Sequence, residues 1–113
     1  MNTNNQSCIP LEVRTALYRR AVAQAYLDSC RENGVELSCT LSELEIAIAL
    51  ELESAHVREH GVSTGTEIAC AMLGDMVQDT VLTDKPRLTV LGHIIMGELC
   101  QPHTRTTSAT TLH

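Results

Sequence analysis

Apolar side chains recur at helical spacing through most of the chain. Between residues 10 and 33, Tyr18, Val22, Ala25, Tyr26 and Ser29 repeat every three or four positions, and Ala16, Ala23, Leu27 and Cys30 widen the stripe. Arg19, Arg20, Gln24, Asp28 and Arg31 fall largely outside it. That period predicts an amphipathic helix over roughly 10–33. Ser7 is placed to cap it, and Pro10 sits near its first turn, where a missing N–H costs nothing. Gly34 ends it, with Val35 positioned for the apolar contact that accompanies a glycine C-cap.

The next segment carries two patterns at once. Leu44, Ile46, Ile48, Leu50 and Leu52 alternate with Glu43, Glu45, Ala47, Ala49, Glu51 and Glu53, which is strand periodicity. Glu, Ala and Leu are nevertheless strong helix formers, and Glu and Ala are poor in strands. Thr40 with Glu43, or Ser42 with Glu45, fits a capping box. A helix over about 41–60, stopped by Gly61, is the reading these features favour. At about 100° per residue it is apolar on two sides. Leu41, Leu44, Ile48, Leu52 and Ala55 form one stripe, and Ile46, Leu50 and Val57 form a second, nearly opposite. Such a helix is either central in a small bundle or gives its second face to a dimer or a partner, because monomers seldom leave such stripes exposed.

A third helix is expected over about 65–82, with Thr64 and Glu67 as its capping box. Ile68, Met72 and Met76 form one row, and Ala69, Leu73 and Val77 the next. Thr83-Asp84-Lys85-Pro86 breaks the pattern, and a fourth helix follows over about 86–100 on Leu88, Leu91, Ile95 and Leu99, widened by Val90 and Ile94. Gly74, Gly92 and Gly97 lie inside helices and are candidates for close helix crossings. Residues 1–7 and the Ser/Thr-rich tail 101–113 read as disordered, with Pro102 blocking continuation of the last helix. The expected fold is all-α: one domain, residues 1–100, built as a bundle of about four helices.

Composition narrows the function. The chain has no Phe or Trp, so Leu, Ile, Val, Ala and Met must build the core, and large aromatic ligand boxes are unavailable. Net charge is −6 and unevenly placed: +1 over residues 1–33, −5 over 34–61 and −2 over 62–113. No basic stripe exists to track a phosphate backbone, which disfavours direct nucleic-acid binding. A helix-turn-helix over 41–82 fails on the same ground, since its recognition helix would carry three acids and no Lys or Arg. The five cysteines are widely spaced, odd in number and without a CxxC pair, and the polar start MNTNNQS lacks the features of a signal peptide. Reduced thiols and a cytoplasmic location are expected. No apolar run reaches the ~18 residues of a membrane span.

Catalytic arrangements lack their context. His56-Val57-Arg58-Glu59-His60 matches the H-x-x-E-H of inverted zinc peptidases, in which two His four apart bind zinc and the Glu acts as base. Here it sits at the last turn of a helix in a short chain, with only Glu67 or Glu98 to supply a third ligand. His56 and His60 are thus weak metal candidates, and interaction with the helix C-terminus accounts for them equally well. Cys100 and His103 have zinc-ligand spacing but no second pair. The segment GVSTGTE lacks the Lys and spacing of a phosphate-binding loop. A non-enzymatic protein without cofactors is expected.

The opening MNTNNQSCIPLEVRTALYRRAVAQAYL and the alternating SELEIAIALELES, taken with length, acidity and helical layout, resemble the QslA family of quorum-sensing antiactivators. The resemblance implies a helical homodimer that binds the ligand-binding domain of a LasR-type transcription factor, disrupts its dimer and keeps it off DNA. It transfers no binding residues. The residues themselves point to a protein–protein interaction inhibitor, with Ile46, Leu50 and Val57 as contacts and Glu45 and Glu53 at the rim. The rival is an oligomeric small-molecule or signal-nucleotide sponge, which would need Arg19, Arg20 or Tyr26 facing an inter-subunit pocket.

Overall fold

A computed structural model describes residues 9–78 and 85–100. The expected lead-in 1–7, the last residues of the expected third helix and the tail 101–113 lie outside the described residues. Helix α1 is Leu11–Glu32. It closes in a glycine C-cap: Gly34 has φ 75°, its N–H donates to the Arg31 carbonyl at 3.0 Å, and the Val35 N–H donates to the Cys30 carbonyl at 2.8 Å. These two bonds satisfy carbonyls that the helix end would otherwise leave unpaired.

Helix α2 runs from Leu41 to His60 and settles the strand-or-helix ambiguity in favour of helix. Its start is the expected capping box. The Glu43 N–H donates to Thr40 Oγ1 at 3.2 Å, and the Thr40 N–H donates to Glu43 Oε1 at 2.8 Å. Local propensity and reciprocal capping outweigh the alternation. Midway, Ala49–Glu53 widens into a π-helical turn.

Helix α3 is Val62–Met76. It starts three residues before the expected position, and Thr64 is not its cap. Gly61, at φ 91° and ψ 165°, reverses the chain in one residue, so Val62, Ser63 and Thr64 already belong to the helix. The first turn of α3 therefore presses on the last turn of α2. A Cβ on Gly65 would collide with the backbone of His56 and Val57. Helix α3 also ends early. Val77 turns extended and forms an antiparallel bridge with Leu88. The Gln78 N–H donates to the Arg87 carbonyl at 3.0 Å, and the Thr89 N–H to the Met76 carbonyl at 2.9 Å.

That bridge delays helix α4, which spans 90–100 rather than starting at Pro86. Thr89 is its cap: Oγ1 accepts from the Gly92 N–H at 3.1 Å and donates to the Asp75 carbonyl at 2.7 Å. Gly92 is the close crossing, since a Cβ there would run into the Met76 carbonyl. Gly97 faces open space, and Gly74 meets the Tyr18 ring at ordinary contact distance.

The core joins all four helices. Val22, Ala23, Ala25 and Leu27 come from α1, and Leu44, Ile48 and Leu52 from α2. Ala69, Leu73 and Met76 come from α3, and Leu88 and Met96 close it from the α4 side. The protein is thus a small all-α bundle, with one isolated β-bridge among the described residues. No described helix is long and apolar enough to cross a membrane.

Candidate functional site

The outward face of α2 begins as the alternation demands. Leu44 and Ile48 are buried, and Ile46 and Leu50, one turn apart, are 57% and 61% exposed. An uninterrupted α-helix would add Val57 to that stripe, but the π-helical turn inserts one extra residue, which offsets everything beyond it by about 100°. The Ser54 hydroxyl donates to the Ala49 carbonyl five residues back at 3.0 Å, following the widened turn. Val57 is accordingly half-buried, with its backbone against Gly65. The structure keeps Ile46 and Leu50 together and separates Val57 from them.

The expected rim is altered as well. Arg19 grips Glu53 with both prongs: Nε donates to Oε2, and Nη2 donates to Oε1 at 2.7 Å. The Glu53 side chain is only 14% exposed. The Arg19 pKa is raised, first by this hydrogen bond and further by the charges of Glu53 and Glu45, against a desolvation cost. Glu53 therefore clamps α2 to α1, and the charge of half-buried Glu45 acts on the same cation. Sequence spacing could not foresee this, because the clamp depends on where α1 lies.

The same clamp bears on the small-molecule reading. Arg19 is committed to Glu53, Arg20 is exposed, and Tyr26 is half-buried beside the thiols of Cys30 and Cys100. A recess of about 560 Å³ lies between α1 and α3 beside Arg14, Tyr18, Glu67 and Cys70.

The His56 and His60 rings stack at 6.3 Å between centroids and 22° between planes. His60 Nε2 lies 3.7 Å from Glu59 Oε1, and His56 Nδ1 is buried without a hydrogen-bond partner. Among the described residues, no three His, Cys, Asp or Glu side chains are grouped to hold a metal ion. Cys30, Cys39, Cys70 and Cys100 are free thiols, and His103 lies outside the described residues. Burial raises the Cys100 pKa and, more strongly, that of Tyr26.

One feature was not anticipated from the sequence. Glu51, Leu52, Ala55 and His56 of α2 face Ile95, Glu98 and Leu99 of α4 across an open trough. Its apolar floor and its carboxylates on both helices appear only once α4 is docked. The i, i+4 spacing of Leu91, Ile95 and Leu99 is the available signal, but spacing alone does not show which helix that stripe meets.

The whole chain, residues 1–113, matches a family of unknown function, DUF5375. The protein belongs to that family. It is similar to a P4 prophage-derived uncharacterized protein of Salmonella typhi, 45% identical over 95 residues, which cover 84% of this chain and 90% of that one. No solved structure matches the chain. Membership of DUF5375 overturns the resemblance to the QslA antiactivators. That likeness rested on acidity, helix layout and two amphipathic segments, and unrelated helical proteins share such features because they solve the same packing problem.

Proposed function

We propose that the protein acts by binding another protein and occupying a surface which that target uses for its own assembly. The observation that carries this reading is the pair Ile46 and Leu50, left exposed on a helix whose opposite face is the core. Neighbouring apolar side chains that remain in water on an ordered helix are a usable anchor for a partner. Competition of this kind needs a well-packed interface and no chemical step. The acidity of residues 34–61, net −5, selects against acidic partner surfaces. The prophage derivation of the Salmonella relative makes a bacterial lysate the place to search.

The test is affinity capture with wild-type protein and with Leu50→Asp, followed by mass spectrometry and circular dichroism. Leu50→Asp should keep its helix content and lose a partner that the wild type retains. Intact folding with an unchanged captured set would sink the assignment. No observation favours the small-molecule sponge over this reading.

A further inference from the structure

We infer that the trough between α2 and α4 is a docking site for a basic, amphipathic helix of another protein. The inference rests on the protein-binding reading and places a contact on a face other than that of Ile46 and Leu50. The trough, about 320 Å³ and shallow, is lined by the apolar side chains of Leu52, Ala55, Ile95 and Leu99. On α4 the floor continues one turn back to Leu91, which is 41% exposed. From Leu91 to Leu99 is about 12 Å of helix at 1.5 Å per residue. That length matches anchors at i, i+4 and i+7 of a docked helix.

Charge decides the kind of occupant. Glu51 enters from α2 and Glu98 from α4, and neither belongs to an ion pair among the described residues. An apolar floor between carboxylates on two helices complements a helix with an apolar stripe flanked by Lys or Arg. A second copy is a poorer occupant. Each copy carries −6, so the carboxylates of the trough would meet a second acidic chain.

The probe is a designed helical peptide with Leu at i, i+4 and i+7 flanked by Lys, titrated into isotopically labelled full-length protein and followed by amide chemical shifts. A counterpart with Glu in place of Lys is the control. The Lys peptide should shift Leu52, His56, Ile95 and Leu99 saturably, and added salt should weaken it. Glu51→Gln combined with Glu98→Gln should weaken it by about tenfold, the sum of two partly exposed charge pairs. Equal binding of both peptides, no binding of either, or unchanged affinity in the double variant would overturn the inference. Trough shifts that change on dilution without peptide would overturn it in favour of a second copy. Shifts centred on Ile46 and Leu50 would also overturn it, yet leave the protein-binding function standing. Loss of capture by Leu50→Asp tests that function separately.

Discussion

The two faces of α2 use the same residue types and meet opposite fates. Leu44, Ile48 and Leu52 point into the bundle, whereas Ile46 and Leu50 stay in water. Alternation along the chain makes the two sets look equivalent. Their difference comes from what lies beside the helix, since α1, α3 and α4 all converge on one side. Beyond the π-helical turn the outward stripe is not continued, because Val57 is turned against Gly65. A single extra residue in one turn thus sets the length of the exposed apolar face.

The sharpest way to break this comparison is to truncate one residue from each face. Ile48 is fully buried, so Ile48→Ala should destabilise by about 2–5 kcal/mol, the transfer and cavity cost of a core aliphatic. Ile46→Ala should change stability by no more than about 0.5 kcal/mol, as surface substitutions do. Urea denaturation monitored by circular dichroism measures both, and equal losses would show that Ile46 is buried in solution.

Two glycines probe the same contrast between tight and open positions. Gly65→Ala forces a Cβ into the α2 backbone and should cost about 1–3 kcal/mol despite its better helix propensity. Gly97→Ala meets open space and should stabilise by about 0.5–1 kcal/mol. Thermal melts that rank the two variants the other way would refute the one-residue reversal at Gly61 as the cause of the close approach.

The smallest expected effect concerns pH. The Cys100 thiol titrates above its ordinary 9.0 and the Tyr26 hydroxyl above its ordinary 10.0, each chiefly because burial penalises the charged form. Groups whose folded pKa is raised contribute stability that is whole below the unfolded pKa and is lost as pH rises through the folded one. Melting temperature should therefore fall above about pH 9, and Tyr26→Phe should flatten the fall at the upper end of that range. An alkaline slope identical in the variant would place the Tyr26 hydroxyl in water.

Much of the architecture was legible in local chemistry. The period of α1, the Thr40–Glu43 capping box, the Gly34 cap and the stop at Gly61 act within a few residues, so the sequence determined them by itself. The inner stripe of α2 was legible for the same reason. The starts of α3 and α4 were not. Gly61 serves as both stop and start, and Leu88 is drawn into a bridge with Val77 eleven residues away. Of the expected contact residues, Ile46 and Leu50 keep their outward position, because among the described residues nothing buries that side of α2. Val57 is turned toward α3 beyond the π-helical turn, and Glu53 is held by Arg19. Propensity and capping depend on neighbours in the chain, so sequence alone fixed that the protein is a bundle of helices and where most of them end. Which glutamates are held by an arginine, which apolar residues stay in water, and the trough between α2 and α4 depend on neighbours in space, so they follow from how the helices pack.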